Sequence, residues 1–178
     1  MPPQNEQDVS NRFDFDADDD ATWYYETFFS GGKRCARIVS GDDKNAGDLE
    51  IPMSLDGYPV RKVDSRAFYR CTGLTSVKIP SCVISIGKSA FSRCIGLKSV
   101  KIAKGVTSFG DYAFERCGAL KSVVIPSSVT SFGYHAFADC PSVTTVYVSK
   151  GDASRVKAKL ARSGLSLGKV RFVEVNCE

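Results

Sequence analysis

Hydrophobic positions in the middle of the chain recur with a fixed period of 23 residues. Four copies of the unit Ala-Phe-x-x-Cys begin, with no gap between periods, at Ala67, Ala90, Ala113 and Ala136. Later positions keep the same offset: Leu74, Leu97, Leu120 and Val143; Val77, Val100, Val123 and Val146; Ile79, Ile102, Ile125 and Val148. A constant period of this length predicts a solenoid in which every coil is one copy stacked on the previous one.

Each copy predicts a strand followed by a return wall. In Leu-x-x-Val-x-Ile the last two apolar residues are two apart, so both side chains of the strand point into the core and the residue between them points outward. Pro80 ends its strand because proline has no backbone N–H to donate. Val83 and Ile86, with their copies, predict the return wall. The glycine that follows, first at Gly87, allows either a positive φ or a close backbone approach.

The Ala-Phe-x-x-Cys unit predicts the third side of the coil. One helical turn would place Phe and Cys, three residues apart, on its inner side. The phenylalanines would stack as a spine, and the cysteines would stack beside them as small buried hydrophobes. Parallel Cβ vectors favour free thiols there, so any disulfide is expected among Cys35, Cys82 and Cys177. The predicted core residues are Phe68, Phe91, Phe114, Phe137, Cys71, Cys94, Cys117 and Cys140.

The segments on either side of the repeats predict caps for the two ends of the solenoid. Residues 22–29 and 34–39 are β-prone runs around a Gly-Gly turn, which is typical of a hairpin. After Lys150, a helix over residues 153–161 is expected, with Asp152 or Ser154 as its N-cap and a glycine as its stop signal. Residues 169–175 then alternate at period two, which predicts a strand. A terminal coil needs such cover because no neighbour buries its core.

The domain organisation follows from these elements. The first coil, from Leu49, is five residues longer than the others because of the segment 53–59. The fold class is a β-rich α/β repeat protein, a solenoid of 23-residue coils between two caps. We predict four parts: an acidic leader, disordered by composition, over residues 1–20; an N-terminal β-hairpin cap over 21–48; the repeats over 49–148; and a C-terminal cap, helix then strand, over 149–178.

The repeat at residues 74–97 reads Leu-x-x-Val-x-Ile-Pro-x-x-Val-x-x-Ile-Gly-x-x-Ala-Phe-x-x-Cys-x-x-Leu. This pattern closely resembles the BspA-like class of leucine-rich repeats, and the long first coil is similar to the opening repeat of that class. The resemblance implies a right-handed leucine-rich-repeat solenoid. It also implies a bacterial or protozoan surface or secreted protein with a role in adhesion to host matrix proteins or to other cells.

Charge is distributed unevenly along the chain. The 178 residues carry a formal net charge of +4, but residues 1–30 contain eight acidic side chains and one basic one, so the rest of the chain is strongly basic. No apolar run is long enough to cross a bilayer, and we expect no membrane insertion. Residues 1–5 lack the basic and apolar stretches of a signal peptide. The sequence therefore predicts no export signal, although the resemblance implies the cell surface.

Catalytic chemistry has little support in this sequence. The chain has one histidine, His135, its cysteines are mostly repeat positions, and no glycine-rich phosphate loop is present. The sequence offers no set of residues that could form a catalytic acid, base and nucleophile or a metal cluster. We predict no enzyme, no cofactor and no metal site. No nucleic-acid-binding motif accompanies the basic body, so a nucleic acid is not the expected partner.

The outward strand positions are the candidate binding residues. One column runs from Asp48 to Thr145, and a second changes from acidic Glu50 through lysines to apolar and aromatic residues. We predict a monomeric protein-interaction or adhesion module whose partner is a host or cell-surface protein. The alternatives are a spacer in a longer cell-surface protein, with no ligand and a merely solvated sheet face, and an intracellular scaffold. The predicted concave-face residues are Ser76, Lys78, Ser99, Lys101, Val124, Thr145 and Tyr147.

A third column, formed by Arg70, Arg93 and Arg116, lies on the side of the Ala-Phe-x-x-Cys units. Stacked like charges repel each other, so this column requires neighbouring acids or an anionic partner. Contact between the acidic leader and the basic body is a further alternative.

Overall fold

The computed structural model describes residues 23–41 and 47–176. The predicted leader over residues 1–20 and Cys177 lie outside this range. In chain order the elements are β1 (Trp23–Ser30), β2 (Lys33–Gly41), β3 (Gly47–Glu50), β4 (Ser54–Leu55), β5 (Tyr58–Val63), β6 (Leu74–Ile79), β7 (Ser85–Ile86), β8 (Ser99–Ile102), β9 (Ser108–Phe109), β10 (Ser122–Ile125), β11 (Ser131–Phe132), β12 (Thr145–Ser149), α1 (Ala153–Arg162) and β13 (Arg171–Val175).

One wall of the solenoid is a parallel sheet of six strands in the order β3-β6-β8-β10-β12-β13. Equivalent repeat positions pair directly, so that Val77 lies beside Val100 and Val123 beside Val146. The valines point inward and are buried, while the residues on either side of them point outward. The predicted period-two strands are therefore confirmed. We call the outward surface of this sheet the strand face.

The return wall is a second sheet, in the order β1-β2-β5-β7-β9-β11, and β4 pairs with β5 beside it. Its repeat strands have only two residues each, and Ile86 pairs with Val63 on one side and Phe109 on the other. Short strands suffice because the chain bends again at the following glycine. A Cβ atom at Gly110 would lie 2.6 Å from the Lys88 nitrogen, so close backbone approach, and not positive φ, explains this glycine.

The third wall, which we call the turn ridge, consists of residues 64–71, 87–94, 110–117 and 133–140. The predicted helical turn is wrong here. Along each segment, backbone N–H groups donate alternately within their own coil, in a tight turn, and to the next coil. Tyr69 N–H donates to the Arg66 carbonyl at 3.0 Å, whereas Phe68 N–H donates to the Ala90 carbonyl of the next coil at 2.8 Å. A helix would direct both N–H groups along its own axis. Two residues in each coil, such as Arg66 and Arg70, adopt positive φ instead.

The core lies between these three walls and follows the predicted residues. Phe68, Phe91, Phe114 and Phe137 are fully buried, and consecutive rings stack at centroid distances of 5.0, 5.3 and 5.0 Å. Cys94, Cys117 and Cys140 are buried thiols packed beside the rings, whereas Cys71, also predicted in the core, is only partly buried. Three of these thiols donate to the carbonyl of the phenylalanine in the preceding coil; the donors are Cys94, Cys117 and Cys140.

The N-terminal cap is the predicted hairpin. Gly31 and Gly32 both have positive φ, which is the geometry of a type I′ turn between antiparallel strands. Strand β2 pairs in parallel with β5, so the hairpin extends the return wall by two strands. The edge of the Trp23 ring covers the first ring of the phenylalanine spine at 6.2 Å, and the Tyr25 hydroxyl donates to the Asp56 carboxylate in the long first coil.

The C-terminal cap contains α1 and β13, as predicted. Val156 and Leu160 of α1 are buried against the last coil, and β13 pairs with β12 at the end of the six-stranded sheet. Asp152 precedes the helix but makes no side-chain capping bond. Its carboxylate instead accepts from Arg155 Nε at 3.0 Å, and Arg155 also donates to the Val129 carbonyl at 2.7 Å. This arginine fastens the cap to the last return segment.

Candidate functional site

The described residues do not bring together a set of metal ligands. His135 stacks on the ring of Tyr134 at 3.9 Å, on the surface of the turn ridge. Within residues 23–41 and 47–176, no three His, Cys, Asp or Glu side chains lie close enough to hold a metal ion. Of these residues only α1 forms a helix, and it is too short and too polar to span a membrane.

The buried cysteines have the chemistry of core residues. Burial raises the pKa of the Cys94 thiol to about 12. The pKa of Cys117 is also raised, first by its contact with the Cys140 thiol and then by burial. Burial likewise raises the pKa of Cys82, which is only partly covered. Because the thiolate is the nucleophilic form, the raised pKa values lower the reactivity of these thiols at neutral pH.

Alkaline pH should therefore destabilise the fold through Cys94. The thiol of an unfolded chain ionises near pKa 9.0, whereas the folded thiol keeps its proton to about pH 12. Stability present below pH 9 is lost as the pH rises through this window, because only the unfolded chain releases the proton. Urea denaturation from pH 8 to 11 measures how the free energy of unfolding declines with pH. This decline should be less steep in Cys94→Ala than in the parent protein, with the two slopes differing by up to about 1.4 kcal/mol per pH unit.

The matched control for this experiment is Val100→Ala. Val100 is equally buried in the same coil but does not titrate, so its alanine variant should lose stability while keeping the pH slope of the parent protein. Equal slopes in the parent and the Cys94→Ala variant would contradict the assigned pKa.

The strand face brings the predicted binding residues into two straight columns. In the first, Ser76, Ser99, Ser122 and Thr145 are neighbours across the parallel strands. In the second column, the neighbours across the same strands are Lys78, Lys101, Val124 and Tyr147. The alignment is a consequence of the constant period, since each coil returns the chain to the same register.

Polar side chains at the N-terminal end of the strand face bond to each other within the chain. Asp48 accepts hydrogen bonds from the hydroxyls of Ser76 at 2.6 Å and Thr75 at 2.9 Å, which lower the pKa of its carboxyl group. Lys78 pairs with Glu50 at 2.6 Å. Two of the predicted residues, Ser76 and Lys78, are therefore engaged already, and binding at this end would first have to break these exposed contacts.

The C-terminal end of the face has a different character. Val124 and Tyr147 are partly exposed, and the register of β13 places Val173 beside Tyr147 and Arg171 beside Thr145. We call Val124, Tyr147 and Val173 the apolar stripe. Lys101 lies beside Val124 on the neighbouring strand. Lys101 thus continues the second column at one end of the apolar stripe, and at the other end Arg171 lies in the first column, two residues before Val173.

Sequence analysis missed Arg171 and Val173 as members of this surface. The alternation of residues 169–175 already placed both residues on one side of a strand. The alternation did not determine the register of β13 against β12, because the 23-residue period stops at Val148 and α1 lies between the two strands. Lys121 was also missed. It is exposed at the corner just before β10, where its N–H donates to the Lys98 carbonyl at 2.8 Å.

Comparisons with known proteins agree on this architecture. Residues 50–172 match the BspA type leucine-rich repeat region in six copies. A leucine-rich repeat protein from Bacteroides capillosus is 30% identical, with TM-score 0.58 over 70% of this chain and 94% of its own. A leucine-rich cell surface protein from Faecalibacterium prausnitzii is 28% identical, with TM-score 0.52 over 80% of this chain and 42% of its own. No curated protein sequence matches significantly.

Proposed function

Because the chain belongs to the BspA-type leucine-rich-repeat family, we propose that it is a protein-interaction module that binds through the C-terminal half of the strand face. The observation that carries this proposal is the apolar stripe between Lys101 and Arg171. The inward residues of the repeats are buried in the core. Among the outward residues of the strand face, Val124, Tyr147 and Val173 form an apolar and aromatic surface next to cations.

The physical properties of the apolar stripe suit a protein partner. Energetically dominant interface residues are enriched in Tyr and Arg and are surrounded by contacts that exclude water. Tyr147 has this position, between Val124 and Val173. The strands that carry Val124 and Tyr147 pair with a neighbour on both sides, and β13, which carries Val173, pairs with β12 at the end of the sheet. Little conformational entropy is therefore lost when a partner docks on a surface that is already ordered.

An adhesive role at a cell surface is the form of this function that we favour. The Faecalibacterium prausnitzii relative is a cell surface protein, and that property is extended to this chain only as part of the proposal. The partner would then be a matrix or cell-surface protein, and the chain a monomer without catalytic activity. A spacer within a longer surface protein and an intracellular scaffold are the competing functions.

Binding assays with a triple variant test the proposal. Lys101→Ser, Val124→Ser and Tyr147→Ser together remove the centre of the surface but leave the inward residues intact. Against a panel of purified matrix and cell-surface proteins, biolayer interferometry should give at least one ligand whose dissociation constant rises about a hundredfold in the variant, as expected for an interface hot spot. Circular dichroism melts establish that the variant is folded.

The matched control is Ser76→Ala with Lys78→Ser, at the end of the same columns where the side chains are paired within the chain. This variant should keep the parent affinity. If the panel contains no ligand, the spacer function replaces the proposal. If both variants bind like the parent, the strand face is the wrong surface.

A further inference from the structure

The first regular coils of the turn ridge carry a group of cations, of which Arg93 is partly buried and the other three are exposed. Arg66 N–H donates to the Lys88 carbonyl and Arg70 N–H to the Ser92 carbonyl, both at 2.9 Å. These bonds place Arg66 beside Lys88 and Arg70 next to Arg93, one coil apart. We call Arg66, Arg70, Lys88 and Arg93 the basic ridge. It lies on a different wall of the solenoid from the strand face.

Tyr69 fixes two of the guanidinium groups. The guanidinium carbon of Arg66 lies 5.9 Å from the centre of the Tyr69 ring, and that of Arg70 lies 5.3 Å from it. Attraction between a cation and the ring face orients both groups. The Tyr69 ring is 36% exposed, and the basic ridge presents two guanidinium groups that are oriented by this ring.

The backbone of the basic ridge is held in an unusual conformation. Arg66, Arg70 and Arg93 have φ values of 61°, 64° and 64°, in the left-handed region that residues with a Cβ atom rarely adopt. Tight turns and bonds to the next coil impose this geometry at every repeat. Long cationic side chains consequently leave the ridge from fixed backbone positions, which lowers the entropy that a ligand must remove.

The arginines of the turn ridge differ in whether acidic side chains lie next to them. Arg116 lies 3.3 Å from Asp139 and 3.8 Å from Glu115, so acids of the same ridge neutralise it. No ion pair joins the four basic-ridge residues to any other residue of 23–41 and 47–176. Asp64, the acid nearest to them in sequence, is 3.4 Å from Arg37. The repulsion among the cations is thus left for an anion outside residues 23–41 and 47–176 to relieve.

We propose that the basic ridge is a second binding site, for a sulfated polysaccharide. The planar guanidinium fork matches the paired oxygens of a sulfate group, and a polysaccharide repeats such groups along its length. A single-stranded nucleic acid would need several open aromatic faces on which successive bases stack, whereas the Tyr69 ring at this site already has two arginines over it. The four residues of the basic ridge are all cations, which suits a ligand with repeated anionic groups better than a protein partner, whose binding energy centres on buried anchors.

Titration with heparin decasaccharide tests this site by isothermal calorimetry on the full chain. Arg66→Asn, Arg70→Asn and Arg93→Asn together remove three charges while keeping a residue that tolerates positive φ. The control, Lys157→Gln, Lys159→Gln and Arg162→Gln, removes three charges from α1. We expect the dissociation constant to rise at least about tenfold in the first variant, which loses charge-assisted contacts, and to stay within about threefold in the control, where only screened long-range attraction is lost.

Three results would overturn this proposal. Equal weakening in both triple variants would mean attraction by net charge alone. Equal affinity for desulfated heparin of the same length would mean that sulfate is not the recognised group. Tighter binding of a single-stranded DNA oligomer with the same number of charges would point to nucleic acid. The strand-face variant, with Lys101, Val124 and Tyr147 replaced, should bind heparin like the parent, so the two proposals fail independently.

Discussion

Phe114→Ala is expected to lower the free energy of unfolding by about 3–5 kcal/mol, the range observed when a fully buried ring is removed. Phe114 has no exposed surface and packs on a ring in the coil before it at 5.3 Å and in the coil after it at 5.0 Å. The edge of Phe109 adds a further contact at 5.8 Å. Its removal leaves a cavity that rigid neighbouring coils cannot close.

Urea denaturation followed by circular dichroism measures this loss. Tyr134→Ala is the matched control, because Tyr134 is an aromatic residue of the next coil that is 60% exposed. Its replacement should change stability by no more than about 0.5 kcal/mol, as is usual at the surface. A loss below about 1 kcal/mol for Phe114→Ala would mean that the spine is not the main source of stability. A shallower transition for Phe114→Ala would fit coils that unfold separately.

Gly110→Ala should be nearly as damaging, although it adds a single methyl group. The new Cβ would lie 2.6 Å from the Lys88 nitrogen and 2.7 Å from the Gly87 carbon. Both are backbone atoms of the preceding coil, so no side chain can move aside to make room. Separating two coils strains the contacts of the whole stack, and we expect a loss at the upper end of the usual overpacking range, about 3 kcal/mol.

Gly118→Ala provides the control for this substitution. A Cβ at Gly118 meets no atom within 4 Å, and its φ is not positive. Alanine should be neutral there, or stabilising by up to about 1 kcal/mol, because it restricts the unfolded chain. Thermal melts of both variants would show the difference. Similar melting temperatures for the two would contradict close approach between coils as the reason for the glycine.

Periodicity determined the core of this protein at the level of single residues. Val77 and Ile79 had to share one side of a strand because they are two apart, and a constant 23-residue offset carried the same assignment to every coil. The hairpin was equally predictable, since Gly31 and Gly32 supply the positive φ values of its turn. Local geometry and spacing decide these features, so they can be derived before any tertiary contact is known.

The turn ridge could not be derived in this way. Phe and Cys at three-residue spacing fit the inner side of a helical turn, and their burial agrees with that expectation. The backbone nevertheless makes its Phe68 N–H bond to the next coil, because the neighbouring coil offers a carbonyl at the right distance. A sequence pattern records which side chains are buried, but it does not record whether a backbone group finds its partner within a segment or across a stack.

The candidate surfaces show the same division between sequence and tertiary structure. The sequence by itself determined the solenoid, its inward residues and the order of the outward columns, because each depends on a period of two within a strand or 23 along the chain. Only the tertiary structure decided that Lys78 pairs with Glu50, that Lys101 has no ion pair within residues 23–41 and 47–176, and that Val173 extends the apolar stripe. Pairing and register across strands depend on distances between segments, and spacing along the chain does not fix those distances.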